Sequence, residues 1–385
     1  VRANVRKAAR RRTGARPGVR GAWCASIVTC ACLLVPASAV HGAAPEGLRR
    51  DVVFEHGSRL ARNGVLGERL LTPLLADAAA RRLREAGGSA DDPVLDLAQE
   101  RFAVYVPSGP EPAAGYGLLV FVPPWEGQAL PRGWLPVLER AGMIAVTAAR
   151  AGNAQNVLGR RVPLALAAYE NVARAHRIDP RRVYVGGFSG GARVALRVAL
   201  GFPDIFRGAL LNAGSDPLGS PAVPLPSAEL FERFSRGTRL VYASGTRDLA
   251  AAGADRHSLA SARTLCVEQL VELPIRGGTH EPADARTFAR ALRELDAPRA
   301  ERRDGTTCRL ARDAALHDAL EQVATQVDAG HDAAAARALA EVDAKYGGLA
   351  APRSRELAAR LRVRGVDTDE SATSAADASV SRVER

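Results

Sequence analysis

The chain has 385 residues, 47% hydrophobic and 25% charged, enough for one large domain with an appendage or for two domains. This composition excludes a disordered chain, a collagen and a disulfide-dense mini-protein. The formal net charge of +11 is concentrated at one end: residues 1–43 hold eight Arg or Lys and no acid, and the rest has 45 basic against 42 acidic residues. A nearly balanced remainder carries no electrostatic footprint for nucleic acid.

Residues 1–21 are basic, 22–35 (AWCASIVTCACLLV) are apolar, and Pro36-Ala37-Ser38-Ala39 offers a small-x-small cleavage site. This reads as a secretory signal peptide over 1–39. Fourteen apolar residues are short for a ~30 Å hydrocarbon core, so an uncleaved anchor is the lesser alternative. The expected location is secreted or periplasmic, with no stable membrane span after cleavage. Three of the five cysteines lie in this segment, which leaves Cys266 and Cys308. An even pair in an oxidising compartment points to one disulfide; two unrelated buried thiols are the alternative.

Residues 40–99 form an N-terminal lead-in, with a helix expected over 70–88 and ended by Gly87-Gly88. From 101 onward short apolar runs recur: RFAVYVP (101–107), LLVFV (118–122), MIAVTAA (143–149), RRVYVGG (181–187), GALLNAG (208–214), RLVYASG (239–245) and VELPI (271–275). Helical stretches lie between them, including 162–178 and 190–201. Short strands alternating with helices predict an α/β domain over 100–298, with a doubly wound, mostly parallel sheet covered on both faces. Residues 215–238 carry Pro217, Pro221, Pro224 and Pro226, and read as an irregular candidate lid.

After 298 the composition shifts to a helical extension over 299–365. Leu316, Leu320, Val323 and Val327 share one helical face. Two further helices are expected over 331–348 and 351–365. We read the extension as packing on the main domain rather than forming a separate interaction module. The polar residues 366–385 read as a disordered tail.

Gly187-Phe188-Ser189-Gly190-Gly191 is G-x-S-x-G, a weak pattern by itself. Its context strengthens it: an apolar strand enters and an Ala/Val/Leu helix leaves, as in a nucleophile elbow. Such a turn strains the serine backbone and requires small neighbours two residues away, here Gly187 and Gly191. The Gly190 N–H, at the helix start, would face a developing oxyanion.

A serine hydroxyl needs a base. In the order Ser, acid, His expected of this topology, His41, His56 and His176 come too early, and His317 and His331 sit in the C-terminal helices, which leaves His257 and His280. His280 follows the last strand across Gly277-Gly278-Thr279, whereas His257 lies in a helical stretch, so His280 is preferred. Asp248, just past the strand 239–245, is the preferred acid; Asp255 and then Asp216 are the alternatives, and a helix cap is the plainer reading of Asp248. The loop after 118–122 begins Pro123-Pro124, which lack N–H groups. The first donor there is Trp125, a candidate for the second oxyanion contact or a pocket wall. Asn153, Gln155 and Asn156 read as a polar loop near the cleft.

RIDPRRVYVGGFSGGARVAL (177–196), GTRD (245–248) and GGTHEP (277–282) together resemble the α/β-hydrolase superfamily, in particular secreted esterases related to polyhydroxybutyrate depolymerases and feruloyl esterases. Prolyl-oligopeptidase-like hydrolases share a similar elbow. The resemblance covers about 100–298 and implies Ser189 as nucleophile, Asp248 as acid and His280 as base. Where the family often carries His-Gly in the oxyanion loop, this chain has Pro123-Pro124. The expectation is an exported serine hydrolase acting on an ester-bearing small molecule or polymer. A serine peptidase and a degenerate hydrolase fold acting as a binding protein are the alternatives. No cofactor, metal or nucleic-acid partner is expected, since no His/Cys/Asp cluster has ligand spacing and no GxxxxGK[ST] loop occurs. The sequence sets no oligomeric state.

Overall fold

The computed structural model describes residues 47–299, 305–366 and 368. The expected signal peptide (1–39), the start of the lead-in, the linker at 300–304 and the expected tail apart from 366 and 368 lie outside the described residues. Strands β1 (Gly47–Val52), β2 (Phe102–Val106), β3 (Tyr116–Val122), β4 (Met143–Ala148), β5 (Ile178–Phe188), β6 (Gly208–Asn212), β7 (Arg239–Ala243) and β8 (Leu270–Glu272) form one sheet. Their order is β1-β2-β4-β3-β5-β6-β7-β8. Only β2 opposes its neighbours, and every pair from β4 to β8 is parallel.

The central strands are rich in Val, Leu, Phe and Ala and buried on both faces. Side chains alternate between faces with period two. Leu118, Val120 and Val122 of β3 enter one core, and Leu119 and Phe121 enter the other. β1 differs. Its sequence GLRRDV is only half buried, and it sits at the sheet edge, where its arginines discourage pairing with another chain. The sheet therefore begins inside the segment that the sequence presents as lead-in.

The helices are α1 (Asn63–Leu70), α2 (Pro73–Glu85), α3 (Leu135–Ala141), α4 (Val162–Ala175), α5 (Gly190–Gly201), α6 (Ala228–Gly237), α7 (Leu249–Thr264), α8 (Ala285–Asp296), α9 (Gly305–Asp328), α10 (Asp332–Tyr346) and α11 (Arg353–Val363). The single helix expected over 70–88 is shorter, because Thr72 caps the Leu75 N–H and Pro73 opens α2. α4 stops before 178 because the Arg177 carbonyl accepts the Tyr116 N–H (2.9 Å), which draws the chain into the sheet.

Residues 215–238 are not a lid. Val223, Leu225, Phe231 and Phe234 are fully buried in the larger core, and the Gly348 N–H donates to the Leu225 carbonyl at 2.7 Å. The prolines there make an irregular path through packed interior rather than a mobile cover. Cys266, just past α7, is disulfide-bonded to Cys308 on α9.

Helices α9, α10 and α11 close a third core around Leu74 of α2. Leu320, Val323 and Val327 are buried in it and Leu316 packs at its margin. Asp343 of α10, 2% exposed, accepts the Leu74 N–H (3.3 Å) and bonds the Thr72 side chain. Burial pushes its carboxyl up to about 6. A carboxyl raised in the folded state binds protons that the unfolded chain releases, so stability falls as pH rises from about 4 to 6 and stays lowered above that. Asp343→Asn should raise the melting temperature at pH 7.5, by up to roughly 3 kcal/mol in stability. The gain should vanish near pH 4; melting curves at the two pH values check this, and an equal effect at both would refute it.

Candidate functional site

β5 ends at Phe188 and α5 starts at Gly190, so Ser189 alone makes the turn between them. Its backbone sits at φ 54° and ψ −124°, a strained region for a residue with a Cβ. The turn is held by the Ser189 N–H donating to the Asn212 carbonyl (2.8 Å) and the Ala192 N–H donating to the Ser189 carbonyl (2.9 Å). A Cβ on Gly187 would lie 2.1 Å from the Gly191 carbonyl oxygen, and one on Gly191 would lie 2.0 Å from that of Val122. The small-residue requirement at these two positions is thus steric, set by backbone against backbone.

Two loops reach the same sheet end. One carries Asp248 from β7 into α7, and the other carries His280 from β8 towards α8. They are zipped together: the Thr246 N–H donates to the Ile275 carbonyl (3.0 Å), the Arg247 N–H to the Gly278 carbonyl (3.0 Å), and the Gly277 N–H to the Thr246 hydroxyl (2.9 Å). His280 Nε2 then lies 2.9 Å from Ser189 Oγ, and His280 Nδ1 lies 2.5 Å from Asp248 Oδ2. A carboxylate only accepts, so Nδ1 carries the ring hydrogen and the Nε2 lone pair faces the serine hydroxyl. The side chain of Asp248 is 8% exposed and that of His280 51%. The other oxygen, Asp248 Oδ1, accepts the Ala251 N–H (3.1 Å) and caps α7. The cap and the histidine contact therefore coexist in one carboxylate.

The alternatives stand elsewhere. His257 is exposed on α7. Asp255 is buried and accepts from Ser215 Oγ (2.7 Å) and Ser244 Oγ (2.5 Å). Burial, with lesser repulsion from Asp248, holds its carboxyl above the usual range. Asp216 pairs with Arg193 and Arg197 on α5. The Gly190 N–H belongs to the first turn of α5, where helix geometry leaves it without an intrahelical acceptor.

The loop carrying Trp125 is pinned from below. Arg161 donates to the Pro123 carbonyl (2.9 Å) and the Ala151 carbonyl (2.8 Å), and the Asn153 N–H donates to the Pro124 carbonyl (3.0 Å). The Trp125 ring lies 6.1 Å from that of Phe121 and 6.3 Å from that of Phe188, which is 5.0 Å from the His280 ring. The loop at 149–156 is more than a polar connection: the Asn153 amide lies against Gly190, where a Cβ would be 2.2 Å from Oδ1.

Sequence reasoning missed Asn212 and Trp134. Fully buried Asn212 donates from Nδ2 to the Ala243 carbonyl (2.7 Å) and accepts the Ala283 N–H at Oδ1 (2.7 Å). One amide thus joins β6, the end of β7 and the histidine loop. The Trp134 indole N–H donates to the Ala283 carbonyl (2.7 Å), and its ring stacks on Phe288 at 3.8 Å. The available signal was a polar residue ending the apolar run GALLN. Asn212→Ala leaves the buried Ala283 N–H unpaired and the Ala243 carbonyl with only the Ala213 N–H, and should lower stability by about 2 kcal/mol. Urea unfolding measures this; a change under 0.5 kcal/mol would show that the amide carries no such bridge.

A helix-flanked, eight-stranded, mostly parallel sheet bears a strained serine at a strand-to-helix turn, followed along the chain by Asp and then His. The chain has the α/β-hydrolase fold. No family model matches it, and no curated protein does. Among solved structures it is similar to Est1E from Butyrivibrio proteoclasticus, at 16% identity and TM-score 0.38, covering 52% of this chain and 96% of that one. An S-formylglutathione hydrolase from Staphylococcus aureus matches at 12% identity and TM-score 0.39, covering 54% and 96%. A puromycin-hydrolyzing peptidase from Mycobacterium tuberculosis matches at 19% identity and TM-score 0.34 over 51% of this chain, which spans only 36% of that protein. Among the described residues no helix is long and apolar enough to cross a membrane, and no group of three or more His, Cys, Asp or Glu is placed to hold a metal ion.

Proposed function

We propose that the protein is an exported serine hydrolase that cleaves carboxylic esters through an acyl-enzyme, with Ser189 as nucleophile, His280 as base and Asp248 as acid. The observation that carries this reading is the hydrogen-bonded line Ser189 Oγ, His280 Nε2, His280 Nδ1, Asp248 Oδ2 on a strained turn. Ser189 Oγ attacks the ester carbonyl as its proton passes to His280 Nε2. Asp248 holds the ring orientation and stabilises the imidazolium. The Gly190 N–H and one N–H from the Trp125 loop hold the oxyanion. The intermediate collapses, and the alcohol leaves with the proton from His280. Water then gives a proton to His280 Nε2 and attacks the acyl carbon; the intermediate collapses to the acid as His280 returns that proton to the departing Ser189 Oγ. The apolar segment 22–35 and the disulfide support export.

The test is hydrolysis of a short-to-medium p-nitrophenyl ester series, with fluorophosphonate labelling. The expected result is turnover and a label on Ser189, both lost in Ser189→Ala. Absence of both turnover and label in the unaltered protein would refute the reading.

A further inference from the structure

The cavity beside Ser189 has a volume of about 130 Å3, roughly that of four liquid waters. Its walls are nearly side-chain free: Ala213, Gly214, Ala250, Ala251 and Ala254 line it together with Ser189, His280 and Asp248. Ala213 adopts φ 61° and Gly214 φ 109°, so the chain leaving β6 bends around this space. One further residue lines it, and it is a cation: Arg193, one turn after Ser189 on α5.

The charges around Arg193 do not cancel. Arg193 Nε lies 3.3 Å from Asp216 Oδ1, and Arg197 Nη2 lies 3.3 Å from Asp216 Oδ2, so two guanidiniums share one buried carboxylate. Arg197 is nearly enclosed and further fixed by donating from Nε to the Ala222 carbonyl (2.7 Å). Buried Arg161, bound to the Pro123 and Ala151 carbonyls, feels the charge of Arg197 and, to a lesser degree, that of the Glu126 carboxylate, so three guanidiniums face two carboxylates here. Asp216 itself is not in the cavity wall, and Asp248, the carboxylate that does line the cavity, is held by His280 and the α7 N-terminus. Arg193 keeps about a third of its side chain exposed while Asp216 anchors its Nε.

Resting on the serine-hydrolase reading, we propose that Arg193 determines specificity by binding the far carboxylate of a short dicarboxylic half-ester whose scissile carbonyl sits at Ser189. The alanine and glycine walls accommodate an acyl arm of about four carbons. An uncharged acyl group of equal length leaves the guanidinium without the charge-assisted hydrogen bond, which corresponds to a preference of about 10- to 100-fold.

The test compares kcat/KM for monomethyl succinate and methyl butyrate in the unaltered protein, Arg193→Gln and Arg193→Lys. The expected result is a succinate preference of tenfold or more, abolished in Arg193→Gln and partly kept in Arg193→Lys. Because the readout is a ratio, partial misfolding of a variant lowers both rates and leaves it intact. No preference in the unaltered protein, or one that survives Arg193→Gln, overturns the inference while the hydrolase reading stands. If methyl butyrate is also untouched and Ser189 takes no fluorophosphonate, the hydrolase reading fails. Calorimetric binding of monomethyl succinate to Ser189→Ala, with and without Arg193→Gln, then decides the anion site separately: at least tenfold weaker binding in the double variant supports it, and equal binding rejects it.

Discussion

Replacing Asp248 with asparagine is expected to lower kcat by about 10^4 while leaving the melting temperature nearly unchanged. The two effects separate because the carboxylate has two jobs. Oδ1 caps α7 through the Ala251 N–H, and asparagine caps helices as well as aspartate does. Oδ2 faces His280 Nδ1, where only an acceptor keeps the ring hydrogen on Nδ1. An amide can instead present its N–H there, which moves the ring hydrogen to Nε2 and removes the acceptor that Ser189 needs. Asp248→Ala should lose both, adding about 1 kcal/mol of destabilisation from the missing cap. Steady-state kinetics on a p-nitrophenyl ester and calorimetric melting of the two variants check this. Retention of more than a tenth of the activity by Asp248→Asn would remove Asp248 from the proposed triad.

Gly191→Ala should destabilise the fold by about 3 kcal/mol or more, whereas Gly190→Ala should cost less than about 1 kcal/mol. The adjacent glycines face different obstacles. A Cβ at 191 meets the Val122 carbonyl oxygen at 2.0 Å and the Val122 carbonyl carbon at 2.9 Å. Val122 ends β3 in the middle of the sheet, paired with Gly187, so neither backbone can retreat. A Cβ at 190 meets the Asn153 amide, the far end of an exposed side chain that can rotate away. Urea midpoints of the two variants test the contrast; similar midpoints would mean that the turn yields where the geometry says it cannot.

The turn at Ser189 was legible because its signals are local: strand, small residues, serine and helix are contiguous over 183–201. His280 and Asp248 followed from chain order and from the rule that ligand sites gather where parallel strands end. What escaped was non-local or masked by composition. β1 carries two arginines and an aspartate, so nothing in GLRRDV advertises a strand; its pairing with β2 imposes the conformation. Asn212 looks like an ordinary strand end until three backbone segments converge on it. The prolines at 217–226 suggested mobility, but the burial of Val223 and Leu225 depends on neighbours far along the chain. Arg193 was invisible for another reason: on a helix rich in alanine and valine, its two arginines, Arg193 and Arg197, are read as solvated charges.

Leu74, near the start of α2, is enclosed by residues 320–361, and Asp77 bonds Arg355 across 278 positions. During synthesis α2 therefore emerges with its apolar face unmatched and waits for most of the chain to be made. At roughly 5–20 residues per second, that interval is on the order of 15 to 60 seconds. A growing chain in which α2 must wait for α9, α10 and α11 completes its third core late, and that apolar face stays open to chaperones until those helices appear.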